Sequence, residues 1–119
     1  MMRHRTVYIS GVERVVSYNM LRLLRGWTRL PEGYRCDGCS WSPDSWRGYK
    51  LWPACALHDL FYRDPVERGE HSRRQVDADF RYNLGQLLYA QRAPLHLCVG
   101  LPWVYWVAVK RYGAGSWHA

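Results

Sequence analysis

The stretch Pro53-Ala-Cys-Ala-Leu-His-Asp-Leu-Phe-Tyr62 constrains the fold more than any other part of the chain, because it sets several polar side chains into an apolar helical run. Proline suits a first helical turn, where its missing N–H would have had no partner, and good helix formers follow it. A helix from Pro53 to about Arg63 is therefore predicted, ending before Pro65, since a residue preceding proline is pushed out of helical geometry. On that helix Cys55, His58 and Tyr62 share one side, while Asp59 lies about 100° further round. His58 then faces a packed element and Asp59 faces whatever covers the flank. The bland counterpart is a half-buried histidine next to a solvated aspartate.

A second long helix is expected in SRRQVDADFRYNLGQLLYAQ, opened by Ser72, with Val76, Phe80, Leu84, Leu87 and Leu88 on one face and Asp77 beside it. Pro94 ends it, and Pro102 is expected to start a third helix, PWVYWVAVKRYG, closed by Gly113. Two long helices joined by a short connection pack antiparallel, a geometry that could bring Asp77 opposite His58. Such a carboxylate would hold the imidazole in one tautomer, so that its other nitrogen can take a proton from water. Upstream, TVYISGVERVV (6–16) reads as a short strand or hairpin, and Ser17 could cap a helix through NMLRLLRGW to Gly26. Residues 31–50 show Gly, Pro, Asp and Ser at close intervals and no sustained period, which predicts an irregular loop. A loop of that length in a compact domain usually binds something. The tail AGSWHA is expected to be loose, and His4, His71, His96 and His118 read as ordinary surface or loop histidines.

With 119 residues the chain is one domain, and 48% hydrophobic content excludes a disordered one. The most apolar stretch, Leu97 to Val109, is too short to span a bilayer and contains Pro102. Seven Trp and nine Tyr against two Phe suit surfaces that are apolar at one end and wet at the other. A net charge of +7 favours anionic partners, nucleic acid or anionic lipid. The first residues carry no signal-peptide pattern, so export by another route, or none, is expected.

The cysteines leave two accounts open. Cys36, Cys39, Cys55 and His58 spell C-x2-C-x15-C-x2-H, the spacing of a structural zinc site, which with the basic charge describes a zinc-stabilised nucleic-acid-binding module. That account leaves Asp59, Tyr62, Asp77 and Cys98 without a role. The other pairs Cys39 with Cys55, so that Asp37, the Gly38 carbonyl and Asp59 lie together as hard oxygen donors that suit calcium better than zinc.

DGCSWSPD, PACALHDLFY, VDADF and WVYWVAVKRYG, in this order, resemble the bacterial and fungal type of secreted phospholipase A2 over about Gly33 to Tyr112. The resemblance implies a mainly α, phospholipase A2-like fold in residues 31–119. Two long antiparallel helices would carry a His/Asp dyad beside a calcium-binding loop and a C-terminal helix, with residues 1–30 an unmatched extension. It implies His58 as general base, Asp77 as its orienting partner and Tyr62 as support for the Asp77 end. It also implies a calcium ion on Asp37, Gly38 and Asp59, a Cys39–Cys55 disulfide, and hydrolysis of the sn-2 ester of glycerophospholipids. The expected partner is a phospholipid membrane surface, preferably anionic, with Trp41 and Trp46 as candidates to seat in it and no nucleic acid. Cys36 lies outside the family pattern, which leaves Cys36–Cys98 as a second bridge to test. By analogy with parvovirus capsid phospholipase domains the chain could belong to a phage particle, and a catalytically silent structural protein of the same fold is the remaining alternative.

Overall fold

The computed structural model describes residues 4–37 and 45–118. Strands β1 (His4–Ile9) and β2 (Val12–Ser17) form the expected hairpin, with Ile9 opposite Val12. The turn residues Ser10 and Gly11 both have positive φ, 51° and 82°, the mirror-image turn geometry that matches strand twist. Alternation places Val7 and Ile9 in the core with Val16 of β2. A third strand, β3 (Tyr34–Cys36), pairs in parallel with β1, giving the order β2-β1-β3. Nothing in three residues of local pattern announces such a strand, whose partner lies 27 positions upstream. A second hairpin, β4 (Ser45–Trp46) and β5 (Tyr49–Lys50), further breaks the stretch expected to be irregular.

The helix expected from Ser17 to Gly26 is cut short. Ser17 does cap it, its hydroxyl accepting from Met20 N, but α1 covers only Tyr18–Leu21. Buried Asn83 instead accepts from Arg25 N at 2.8 Å and donates to Arg25 O, taking the backbone groups that a longer helix would have used. Gly26 follows at φ +85°, where a Cβ would come within 2.7 Å of the Phe61 ring.

The helices carry the core. α2 (Trp52–Arg63) has proline in its first turn, and the Asp64 side chain then caps a short α3 (Pro65–Arg68) between the two long helices. α4 (Arg73–Ala90) starts with a reciprocal Ser72–Gln75 capping box, and Val76, Phe80, Leu84, Leu87 and Leu88 are all buried as the periodicity predicts. α5 (Leu95–Tyr112) begins seven residues earlier than expected, with Pro102 inside it. Proline removes the bond to the carbonyl four residues back, that of Cys98. The same carbonyl lies against Gly85 of α4, where a Cβ would stand only 3.4 Å from it.

The sheet residues Val7, Ile9 and Val16 join the core of Leu57, Phe80, Leu84 and Leu87, so the N-terminal hairpin shares one buried cluster with the helices. The tail is not loose. Residues Gly113–Ser116 form a 3-10 turn, the Trp117 ring meets Tyr62 edge-on at 5.1 Å, and the Arg68 guanidinium sits 3.7 Å from the Trp117 centroid. Arg68 also donates to the carbonyl oxygens of Phe61, Tyr62 and His118, which accounts for its burial. Among the described residues no helix is long and apolar enough to cross a membrane.

Candidate active site

α2 and α4 run antiparallel, since Tyr62 meets Arg73 and Asp77 while His58, one turn earlier, meets Asp77 and Phe80. The i, i+4 spacing of His58 and Tyr62 aims both at one carboxylate. His58 Nε2 lies 2.8 Å from Asp77 Oδ1, and the Tyr62 hydroxyl donates to the same oxygen at 2.6 Å. The two side chains of the His58–Asp77 pair are 12% and 5% exposed, so this contact is shielded from water. The rings of Tyr62 and Phe80 lie against the imidazole, tilted by 37° and 32°, with centroids at 4.2 and 4.3 Å. An ionised carboxylate can only accept, so in the neutral imidazole Nε2 carries the proton and Nδ1 the lone pair. Burial, then the bond to Asp77, pushes the Tyr62 hydroxyl well above the usual phenol range, which keeps it a donor.

Arg73 was not singled out in the sequence. Its Nε donates to the Tyr62 hydroxyl at 3.0 Å, and its Nη2 donates to Val109 O and Lys110 O at 2.8 and 2.9 Å. One guanidinium thus ties the Tyr62–Asp77 pair to the end of α5. Gly113 makes room for this, since a Cβ there would stand 3.0 Å from the Tyr62 hydroxyl. The signal available was its i, i+4 spacing to Asp77 on one helix face.

Asp37 and Asp59 line a common cleft of about 630 Å3 on the other flank of α2. Asp37 follows β3, and its backbone carbonyl accepts from the Ser10 hydroxyl at 3.3 Å, so the hairpin turn braces Asp37. Asp59 Oδ2 accepts from the Tyr34 hydroxyl at 2.7 Å and from Arg63 at 3.2 Å. Burial, then the bond to Asp59, raises the Tyr34 hydroxyl far above its ordinary range. Tyr34 carried no sequence signal, because its partner lies 25 residues away. Two carboxylates facing one cleft are a hard-oxygen donor set, which fits calcium. Arg35 and Arg63 line the same cleft, a balance that suits a cation shared with an anionic group. Gly38, Cys39 and Trp41 lie outside the described residues, as does the side chain of Trp46.

The zinc set does not assemble. His58 Nε2 is engaged by Asp77, and among the described residues no three His, Cys, Asp or Glu side chains, Cys36, Cys55 and His58 included, gather as a metal site. The Cys36–Cys98 bridge is likewise absent: both residues hold thiols, Cys36 at the end of β3 and Cys98 on α5 with its sulfur directed to Ala93 O.

Residues 24–113 match the family model described as prokaryotic phospholipase A2. A curated relative, the secretory phospholipase A2 of Arthroderma benhamiae, is 41% identical over 51 residues, which cover 40% of this chain and 34% of that protein. The match thus spans about a third of the relative's length. No solved structure matches the chain. The family match covers about three quarters of the sequence, including α2, α4 and the helix that closes on Gly113, and the chain belongs to the prokaryotic phospholipase A2 family.

Proposed function

We propose that the chain hydrolyses the sn-2 ester of glycerophospholipids in a calcium-dependent reaction, releasing a fatty acid and a lysophospholipid. The observation that carries this reading is the shielded 2.8 Å contact between His58 Nε2 and Asp77, which leaves Nδ1 as the basic nitrogen. His58 Nδ1 takes a proton from water as the water oxygen attacks the ester carbonyl carbon, and the imidazolium returns that proton to the departing glycerol oxygen. Asp77, steadied by Tyr62 and by the Arg73 guanidinium 3.9 Å away, balances the charge on the imidazolium while it lasts. Asp37, the Gly38 carbonyl and Asp59 would hold calcium, which when bound supplies positive charge for the ester carbonyl oxygen and the lipid phosphate. Arg35 and Arg63 on the same cleft add guanidinium groups suited to the phosphate.

We place a disulfide between Cys39 and Cys55, supported by the disulfide-bonded state of Cys55 and the thiols of Cys36 and Cys98. It would hold the loop after Asp37 against the first turns of α2. The partner is a phospholipid surface, anionic by preference given the net charge of +7.

The test is release of the sn-2 acyl chain from a labelled phospholipid by pure protein, with calcium or a chelator, for the wild type and His58→Ala. We expect calcium-dependent release and a loss of about 100-fold or more in the variant, the range for removing a positioned base. Release from His58→Ala at the wild-type rate would refute the assignment of the base. The unfolded preparation should titrate with two thiols, and four would remove the disulfide.

A further inference from the structure

α5 is unusual for the chain's last long helix, because so little of it is covered: only Pro102, Tyr105 and Val109 are buried. Leu95, Val99, Trp103 and Val104 each keep half or more of their surface exposed. At 100° per residue, Leu95, Val99, Trp103, Trp106 and Lys110 fall within one stripe about 80° wide. Beside it runs a groove of about 560 Å3 between α4 and α5, which Tyr82, Tyr89, Val99 and Trp106 help to line. Contiguous exposed apolar surface of this kind marks a contact site.

The charge around the patch selects the partner. No Asp or Glu follows Asp79 in the sequence, whereas Arg81, Arg92, Lys110 and Arg111 do. Lys110 Nζ and Arg81 Cζ stand 4.8 and 5.2 Å from the Trp106 ring centroid, while Arg25, whose Cζ stands 3.9 Å from that of Tyr82, is paired with Asp79 at 3.3 Å. Aromatic rings with cations at their faces, set on an apolar stripe, are the arrangement that lies in an anionic headgroup layer with its stripe in the acyl boundary. Trp106 and Lys110 also line a second cleft that reaches Asp77, so the patch continues toward the candidate active site.

We propose that the exposed stripe of α5, with the α4 groove beside it, docks the protein on an anionic phospholipid bilayer. The purpose of this surface rests on the proposed lipid hydrolysis, but its measurement does not. The full chain would be floated with vesicles of phosphatidylcholine alone or with added phosphatidylglycerol. Wild-type protein should float with the anionic vesicles, and less so as salt rises. The double variant Val99→Glu/Trp103→Glu should lose about tenfold or more in partition, since two buried apolar contacts are replaced by charges. Val12→Glu/Val15→Glu alters two exposed valines of β2 with the same change in charge, and should lose no more than about twofold. Trp103→Ala adds no charge and should lose about threefold, which preserves the test if the double variant misfolds.

Equal losses in the two double variants would overturn the docking surface, as would no loss in either. So would a wild-type dimer that Val99→Glu/Trp103→Glu dissociates without any vesicle binding, since a second copy would then cover the stripe. Hydrolysis of a dispersed short-chain phospholipid separates the two proposals. Wild-type protein that floats but cleaves nothing keeps the docking surface and sinks the hydrolase, and protein that cleaves but does not float does the reverse.

Discussion

The seam between α2 and α4 and the outer side of α5 depart from the usual partition of residues in opposite directions. The seam buries a carboxylate and places a guanidinium and two polar rings around it, whereas α5 leaves Leu95, Val99 and Trp103 in water. Buried charge and exposed apolar area are the two surface observations that carry information, because each costs stability unless something compensates. In the seam the compensation is internal, since Asp77 finds His58 and Tyr62, and Arg73 finds Tyr62 and two carbonyl groups. On α5 the stripe residues Leu95, Val99 and Trp103 stay exposed among the described residues, and the proposed compensation is a bilayer. Activity and stability should therefore be coupled in the seam and uncoupled on α5.

Asp77→Asn is the strongest probe of that coupling. Turnover should fall about 100-fold, because the amide oxygen can still accept from His58 and Tyr62 but carries no charge to balance the imidazolium, and its NH2 replaces the oxygen that faces Arg73. The melting temperature should drop with it, since two hydrogen bonds to a buried carboxylate become bonds to a neutral amide and the ion pair with Arg73 at 3.9 Å is lost, a cost of about 1–3 kcal/mol. A melting curve that did not move would show the seam to be no more demanding than the surface. Next in size, Asp59→Asn should weaken calcium binding about tenfold or more by titration calorimetry, because a carboxylate ligand is replaced by a neutral one. An unchanged isotherm would exclude Asp59 as a ligand.

Arg73→Met should lower kcat about tenfold and leave KM within about twofold, because Arg73 reaches His58 only through Tyr62 and Asp77. Arg73→Lys should restore only part of the loss, having no fork to bond Tyr62 and two carbonyls together. A loss confined to KM would make Arg73 a surface for substrate instead. The smallest effect is alkaline. Both Tyr62 and Tyr34 hold their protons more tightly when folded than in the unfolded chain. Their contribution to stability is complete below the ordinary phenol value of about 10 and is lost as pH rises above it. Denaturant midpoints should fall above about pH 10, and Tyr62→Phe should flatten that slope.

What the chain declared by itself was whatever depends on neighbours along it. The helix at Pro53, the Ser72 cap, the buried face of α4 and the shared side of His58 and Tyr62 all follow from proline geometry and a 3.6-residue period. The Ser10-Gly11 hairpin follows from turn chemistry of the same local kind. Contacts between distant residues were decided only in three dimensions. Asn83 stops α1 by taking the backbone of Arg25, β3 pairs with a strand 27 residues back, Tyr34 reaches Asp59, and the tail folds over Tyr62 onto Arg68. α5 shows the division within a single helix. Its apolar composition is plain in the sequence, but which of those residues meet α4 and which face water depends on how Gly85 admits the chain at Cys98. Local rules specify what a segment can become, and packing selects which of its faces is used, because burial is a property of pairs of segments and not of one.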